Sequence, residues 1–394
     1  MFQIPFLKTA QPTRLLFLID FAFAVLSALG FDYYLRHKKK GRVLYPLMLV
    51  GFILLLLWLF VIGGYKSVVT LSAENIMVIK RNLYLPIILF SVLLFIFILK
   101  IFIKNKLISV SLVCMLLALS IFDLLRFSEK FTPFTDKSYL FPQTEALSFL
   151  KKDTSVYRIM STDSQILPPN FSAIYQIQSL EGYDPLYLRR YGELIAAIER
   201  NKPDVHAPFG FNRIITPRNI DSRLIDMLGV KYVLSLSEIN SSKYEKVFTE
   251  GQTKIYKNKE VFPRVFLVAG IKPVANEQEA INNLFDKQVD LKKIAVVEDW
   301  NNEITARTFT SGTANIFRYT ENQIIISTNS QPSTSNAQLF LVLTDTFYPT
   351  WHAKVCLEGE KECKDAKIYR TNYNFRGIII PQGKRTVVFY NTLL

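Results

Sequence analysis

The chain has 394 residues, half of them hydrophobic, and a formal net charge of +14 at pH 7. Residues 1–128 carry +10 of this charge together with long apolar stretches, so we attribute the excess to membrane topology and anionic lipid. The charge does not form the basic footprint of a nucleic-acid surface, and we expect no nucleic-acid partner.

Four apolar stretches occupy the first third of the chain, near residues 15–35, 43–62, 83–103 and 107–125. Each is long enough, at 1.5 Å per helical residue, to cross a hydrocarbon core about 30 Å thick. Lys and Arg concentrate between the first and second stretches and between the third and fourth. Because such clusters favour the cytoplasmic side, the sequence predicts a multi-pass protein of the plasma membrane, in contact with the lipid bilayer. Residues 1–128 would form its membrane region, and residues 129–394 would be extracytoplasmic.

Few ionisable side chains interrupt these stretches. Asp20 and Asp123 lie about one turn from the predicted outer face, where they either serve a function or sit at the interface. Arg14 is close enough in sequence to pair with Asp20. No signal peptide precedes the first stretch. An outside N-terminus without a preceding span leads us to expect the rear part of a longer protein, or a partner for a separate N-terminal half.

The remaining chain predicts an α/β domain over 129–290 and a β-sandwich over 291–394. In the first, apolar residues recur at helical spacing in 187–200 and about 276–285, between strand-like runs at 156–160, 231–236 and 265–268. In the second, β-branched and aromatic runs alternate with turn residues, as in sandwiches, at 323–327, 339–343, 377–380 and 386–390.

Cys356 and Cys363 flank a short polar turn in the predicted sandwich. In an oxidising compartment they predict a hairpin disulfide, and the alternative is two unpaired thiols. Their spacing lacks the further ligands that zinc needs, so we expect no metal site. There is no phosphate-binding loop either, and we expect no cofactor.

A polar and aromatic cluster surrounds Asp184-Pro185, a sequence typical of a helix start. Its members are Tyr183, Asp184, Tyr187, Arg189, Arg190 and Tyr191. Two interpretations stay open. Either Asp184 caps the helix while the tyrosines pack in the core, or the guanidiniums, the carboxylate and the phenols contact a sugar or phosphate.

Two further clusters allow similar alternatives. Tyr348 and Trp351 can stack on sugar faces at a sandwich edge, or close the hydrophobic core. Glu298 and Glu303 can act as acid and base, as in glycoside hydrolysis, although a solvated loop explains them more simply. No catalytic triad is visible, so the catalytic residues stay unknown.

The order of several short motifs resembles the C-terminal part of the YfhO-type family of bacterial multi-pass membrane proteins, which are similar to GT-C glycosyltransferases. The motifs are Gln11-Pro-Thr-Arg-Leu-Leu-Phe-Leu18, Asp123-Leu-Leu125, Gly182-Tyr-Asp-Pro-Leu186, Arg190-Tyr191, Leu228-Gly-Val-Lys-Tyr232, Phe262-Pro-Arg264, Asp345-Thr-Phe-Tyr-Pro-Thr-Trp351, Arg376-Gly377 and Pro381-Gln-Gly383.

This resemblance implies the rear half of a glycosyltransferase that moves sugar from a polyprenyl-phosphate donor to a cell-surface glycan. In GT-C proteins the catalytic carboxylates lie in the first outside loop, and no segment here matches that loop. The resemblance therefore assigns no catalytic residue to this chain. The alternative is a non-catalytic, membrane-anchored module for carbohydrate binding or envelope assembly. A transporter is disfavoured because polar residues are scarce at mid-span.

Overall fold

The computed structural model describes residues 16–36, 44–63, 72–103, 105–132, 134–300, 312–330, 338–357 and 363–392. The chain divides into two compact units, Met1–Leu140 and Phe141–Leu394. Four long apolar helices build the first unit, and a strand-rich fold builds the second. This order is the one that the sequence predicts.

The helices of the first unit are α1 (Leu16–Arg36), α2 (Leu44–Ile62), α3 (Ala73–Phe102) and α4 (Lys106–Phe131). All four are long and apolar enough to cross a membrane. Many of their large apolar side chains are exposed, and they form a surface suited to lipid rather than to water.

Helix α3 is longer than the apolar stretch at 83–103 from which it is predicted. It begins at Ala73, and Ser72 caps it by accepting a 3.3 Å hydrogen bond from the Asn75 amide. Lys80 and Arg81, which precede the apolar stretch at 83–103, therefore lie inside a helix. Apolar composition marks only the segment suited to lipid, whereas backbone hydrogen bonding continues as far as a cap allows.

The polar residues singled out within the apolar stretches have different surroundings. Asp20 is exposed on α1, whereas Asp123 is half-buried on α4. Arg14 lies outside the described residues, so its pairing with Asp20 stays a prediction.

The second unit contains five described helices, α5 (Glu145–Lys152), α6 (Phe171–Ile174), α7 (Arg189–Arg200), α8 (Arg223–Met227) and α9 (Glu277–Phe285). Its strands before residue 300 are β1 (Arg158–Ser161), β2 (Gln178–Ser179), β3 (Gly182–Tyr183), β4 (Ile214–Ile215), β5 (Val230–Ser235), β6 (Tyr244–Glu250), β7 (Thr253–Asn258), β8 (Val265–Val268), β9 (Gly270–Val274) and β10 (Ile294–Glu298). The later strands are β11 (Thr313–Tyr319), β12 (Gln323–Asn329), β13 (Gln338–Thr346), β14 (Trp351–Leu357), β15 (Cys363–Ala366), β16 (Tyr369–Thr371), β17 (Phe375–Pro381) and β18 (Arg385–Asn391).

These strands form three larger sheets and one short pair. The first sheet has the order β2-β1-β5-β7-β6, the second β8-β13-β17-β16-β10-β9 and the third β11-β12-β18-β14-β15, while β3 pairs with β4. The second sheet combines strands from both sides of residue 290. The predicted division between 129–290 and 291–394 stays a prediction.

Strand β13 is the centre of the packing because both of its faces are buried. Leu339, Leu341 and Leu343 pack towards residues of the third sheet, such as Phe389. Phe340 on the opposite face joins the core formed with α7 and α9. Burial on both faces explains why the run from 339 to 343 is continuously apolar rather than alternating.

The two cysteines of the second unit lie opposite each other on antiparallel strands. Cys356 of β14 is the register partner of Cys363 of β15, and a disulfide joins them. The bond therefore closes the hairpin at the edge of the third sheet.

Candidate functional site

A cavity of about 350 Å³ opens in the second unit, where the first sheet, the start of α7 and the second sheet meet. We call it the Glu181 cavity. The side chains that give it its chemistry are Arg158, Glu181, Asp184, Tyr187, Tyr191 and Asn374. Its volume lies near the lower end of the range of about 300–1,000 Å³ that small-molecule sites occupy. It therefore suits a ligand of roughly monosaccharide size.

Glu181 is a buried carboxyl group in the cavity wall, only 8% exposed. Its amide donates to Ser179 Oγ over 3.0 Å, but its Oε1 atom makes no hydrogen bond of normal geometry with any described residue. Burial raises the pKa of Glu181 to about 7, against the lowering effects of hydrogen bonding by Ser161 and Ser179 and of the charge on Arg218. The carboxyl group can therefore either donate or accept a hydrogen bond near neutral pH.

Two tyrosines form the aromatic side of the cavity. The Tyr191 hydroxyl donates to the Leu180 carbonyl over 2.5 Å, and burial raises the pKa of this phenol to about 12. Tyr187 packs edge-on against Phe211, with 5.7 Å between ring centroids. Its ring lies so close to Gly192 that a Cβ atom there would come within 2.5 Å of the ring. Gly192 thus leaves the space that Tyr187 occupies.

Asn374 closes the side of the cavity formed by the second sheet. It is 1% exposed, and its Nδ2 group donates to Thr346 Oγ1 over 3.4 Å. Its Oδ1 atom has no hydrogen-bond partner among the described residues. A buried acceptor without a partner is costly, and a ligand hydroxyl in the cavity would satisfy it.

Arg158 connects the cavity to a buried charge cluster centred on Asp345. Arg158 Nη2 lies 3.2 Å from Asp345 Oδ1, and Arg264 forms a second, shorter ion pair with the same oxygen. The Tyr319 hydroxyl donates to Asp345 Oδ2 over 3.0 Å. Burial alone would raise the pKa of Asp345, but the guanidiniums of Arg264, Arg158 and Arg376 outweigh it and lower the pKa.

Of the predicted cluster, Asp184, Tyr187 and Tyr191 line the cavity, whereas Tyr183 does not. Tyr183 lies in β3, is 44% exposed, and its backbone is held by the Asn170 side chain through hydrogen bonds of 2.7 and 2.9 Å. The helix start that Asp184-Pro185 indicates is wrong, because α7 begins only at Arg189, and Tyr183 and Tyr187 precede it.

The prediction that Asp184 caps the helix is also wrong. Helix α7 begins at Arg189, and Leu188 is its N-cap, without a side-chain hydrogen bond. Asp184 Oδ1 instead accepts from the Leu186 amide over 2.8 Å and closes a local turn. An aspartate before proline stabilises such a turn as readily as a helix start, and here the turn positions the carboxylate at the exposed rim of the cavity.

Arg189 and Arg190 do not line the cavity and belong to a separate ionic network. Arg190 pairs with Glu298 over 2.7 Å and with Glu277 over 3.3 Å. Arg189 pairs with Glu193 and Glu277, each over 2.8 Å. Both guanidiniums therefore pair with acids, although Arg190 Nη1 is buried without a hydrogen-bond partner among the described residues.

The remaining sequence candidates lie outside the cavity. Tyr348 is 40% exposed, whereas Trp351 is half-buried against the third-sheet core, with the Arg376 guanidinium 3.7 Å from its ring centroid. Glu298 ends β10 and is buried, so the expected solvated loop is wrong for this residue. Glu303 lies outside the described residues.

The sequence matches no protein-family model, and comparisons with curated proteins and with solved structures give no match. The function is therefore inferred from the Glu181 cavity and the apolar helices.

The sequence did not indicate a functional role for three residues that line the cavity, Arg158, Glu181 and Asn374. Arg158 had a usable signal, since it is the one charged residue in the strand-like run 156–160, whose other members are apolar or aromatic. Glu181 and Asn374 had none, because nothing in their local sequence distinguishes them from surface residues. Among the described residues, no group of three or more His, Cys, Asp or Glu side chains could hold a metal ion.

Proposed function

We propose that this chain is a membrane-anchored protein whose second unit lies outside the cytoplasm and binds a carbohydrate in the Glu181 cavity. The apolar helices α1–α4 support the anchoring, since each can cross a membrane. The Lys and Arg distribution of the sequence supports the orientation.

The buried polar atoms of the cavity wall carry the carbohydrate proposal. Asn374 Oδ1 has no hydrogen-bond partner among the described residues, and a buried polar atom without a partner costs roughly 1–3 kcal/mol. Glu181 Oε1 lines the same cavity of about 350 Å³, where Ser161 and Ser179 lie near the carboxyl group but leave this atom without a hydrogen bond of normal geometry. Ligand hydroxyls would satisfy both atoms, and the tyrosine rings offer apolar faces beside them. A hydroxyl-rich ring is the ligand that uses all of these groups.

A panel of monosaccharides, titrated by ligand-observed NMR against the full chain in lipid nanodiscs, tests this proposal. At least one sugar should bind, and Glu181→Leu should weaken its binding about tenfold or more, because it removes the polar contact. Tyr348→Ala, an exposed tyrosine outside the cavity, is the control and should bind normally. Absence of binding for the whole panel, or binding insensitive to Glu181→Leu, would contradict the proposal.

A second candidate function is glycosyl transfer, as the rear half of a GT-C-like enzyme that uses a polyprenyl-phosphate donor. One observation favours it: the pKa of Glu181 lies at about 7, close to the value that suits a general acid or base at neutral pH. The separate N-terminal half would supply the donor site. Transfer to an acceptor that requires both halves, and that Glu181→Gln abolishes, would favour the enzyme over the binding module.

A further inference from the structure

The charge cluster behind the Glu181 cavity is unbalanced. Arg158, Arg264 and Arg376 surround one carboxylate, Asp345. Within the described part of the chain, no other Asp or Glu lies within 4.0 Å of these guanidiniums. Two positive charges are therefore in excess.

This excess is buried. Arg264 and Arg376 are 3% and 4% exposed, and Arg376 Nη1 has no hydrogen-bond partner among the described residues. Burial and repulsion from Arg264 together lower the pKa of Arg158 to about 10, against the raising effect of Asp345. Burial likewise lowers the pKa of Arg376 to about 10. Each guanidinium still carries its charge at neutral pH, and buried charges without counterions are strongly disfavoured.

Arg158 brings this positive charge to the cavity wall. Its Nη1 donates to the Leu228 carbonyl over 2.7 Å and to Thr344 Oγ1 over 3.4 Å, while Nη2 donates to Asp345. A guanidinium has five N–H donors, so these three contacts leave two for a ligand. Both Arg158 and Thr344 line the cavity.

We propose that the ligand of the Glu181 cavity is an anionic sugar, whose carboxylate or phosphate group supplies the missing negative charge beside Arg158. This inference rests on the proposed carbohydrate binding and narrows it to one chemical class. Paired hydrogen bonds from a guanidinium match the geometry of both carboxylate and phosphate. The hydroxyls of the same sugar contact Glu181 and Asn374.

The two acids of the cavity do not cancel this attraction. Asp184 lies at the exposed rim, where solvent and salt screen its charge. Glu181 faces Ser161 of β1, Ser179 of β2, Tyr191 of α7 and Arg218, and its pKa of about 7 leaves it substantially protonated at neutral pH. In that form it donates a hydrogen bond to the sugar.

Three ligands built on one hexose ring separate the possibilities: glucuronate, glucose 1-phosphate and glucose, each titrated by NMR against the full chain in nanodiscs of uncharged lipid. We expect at least one anionic sugar to bind about tenfold or more tightly than glucose, the gain that one charged hydrogen bond gives. Preference for glucuronate identifies a carboxylate ligand, and preference for glucose 1-phosphate identifies a phosphate ligand.

Arg158→Gln should remove this preference and leave weak binding of glucose. Arg318→Gln is the matched control, because it removes a guanidinium from the exposed side of β11 in the same unit. Arg158→Lys keeps the positive charge but lacks the paired N–H donors of the guanidinium, so it should retain part of the preference for the anionic sugar over glucose. It serves as the second variant if Arg158→Gln does not fold. Equal binding of all three sugars by the wild type overturns the anionic ligand while the carbohydrate proposal stands. Absence of binding for all three overturns both.

Discussion

Arg190 of α7 pairs with Glu298 at the end of β10, with 2.7 Å between Nη2 and Oε2. The guanidinium also lies 4.4 Å from the centroid of the Tyr373 ring, and the Tyr373 hydroxyl donates to Glu193 of α7 over 2.6 Å. Both contacts join the helix to the second sheet. The helix that supplies Tyr191 to the Glu181 cavity is therefore held in place by an ionic network that does not itself line the cavity.

Arg190→Ala should act on stability rather than on ligand binding. Removing one member of a buried pair leaves Glu298 uncompensated, which costs roughly 3 kcal/mol. Denaturant unfolding of the full chain in detergent measures this loss, while the folded fraction should bind ligand as the wild type does. Arg189→Ala is the control. Its side chain is 63% exposed, and the Tyr373 hydroxyl still donates to the buried Glu193 without it, so its loss should cost about 1 kcal/mol or less. An Arg190→Ala protein of normal stability that binds no ligand would show that the guanidinium acts in recognition.

Glu181 should make the stability of the second unit depend on pH. Its pKa is about 7 in the folded chain, against an ordinary value of 4.5. Below pH 4.5 the Glu181 carboxyl group is protonated in both the folded and the unfolded chain, so it does not lower the unfolding free energy. Between pH 4.5 and about 7 the carboxyl group loses its proton in the unfolded chain but keeps it in the folded chain, so the stability of the folded chain falls as pH rises. Above pH 7 the full penalty, about 3 kcal/mol, is present.

Glu181→Gln should remove this contribution, so the difference in unfolding free energy between variant and wild type should grow from pH 4.5 to 8. Chemical denaturation at four pH values measures it. A difference that stays constant across this range would show that Glu181 ionises normally.

The sequence predicts single elements of the second unit better than their assembly. The run at 265–268 coincides with β8, and the predicted helix at 276–285 differs from α9 by one residue. Local apolar patterns are enough for such elements. The cavity differs because Arg158, Glu181 and Asn374 are brought together by sheet pairing over long separations. The prediction of a helix cap at Asp184-Pro185 was wrong because an aspartate side chain accepts a hydrogen bond from a nearby backbone amide both in a turn and at a helix start.

Gly192→Ala should disturb the aromatic wall of the cavity. The added Cβ would lie 2.5 Å from Tyr187 Cε2, so the ring must move. Moving a packed ring costs roughly 1–3 kcal/mol, and the higher helix propensity of alanine offsets about 1 kcal/mol of this, so global stability should fall by about 2 kcal/mol or less while ligand affinity falls. NMR titration with the preferred sugar measures the affinity. In a Tyr187→Ala background the same substitution should have no further effect, since the colliding ring is absent. An additive loss in the double variant would place the effect elsewhere.

The Cys356–Cys363 bond should contribute little to global stability. It links residues 7 positions apart, and a loop this short yields about 2 kcal/mol in the chain-entropy treatment. Replacing both cysteines by serine should lower the unfolding free energy by about that amount and leave sugar binding intact. Mass spectrometry of non-reduced peptides checks the bond itself, and detection of two free thiols in the secreted state would contradict it.

The proposed orientation predicts which loops a membrane-impermeant thiol reagent reaches in intact cells. Lys66→Cys lies between the second and third apolar stretches, and Lys39→Cys lies between the first and second, where basic residues concentrate. Because basic loops stay in the cytoplasm, the reagent should modify Lys66→Cys and spare Lys39→Cys until the membrane is permeabilised. Cys114 is a free cysteine on α4, so both variants are made with Cys114→Ala, and that background alone is the control. Labelling of Lys39→Cys in intact cells would reverse the orientation and place the Glu181 cavity in the cytoplasm, away from any surface glycan.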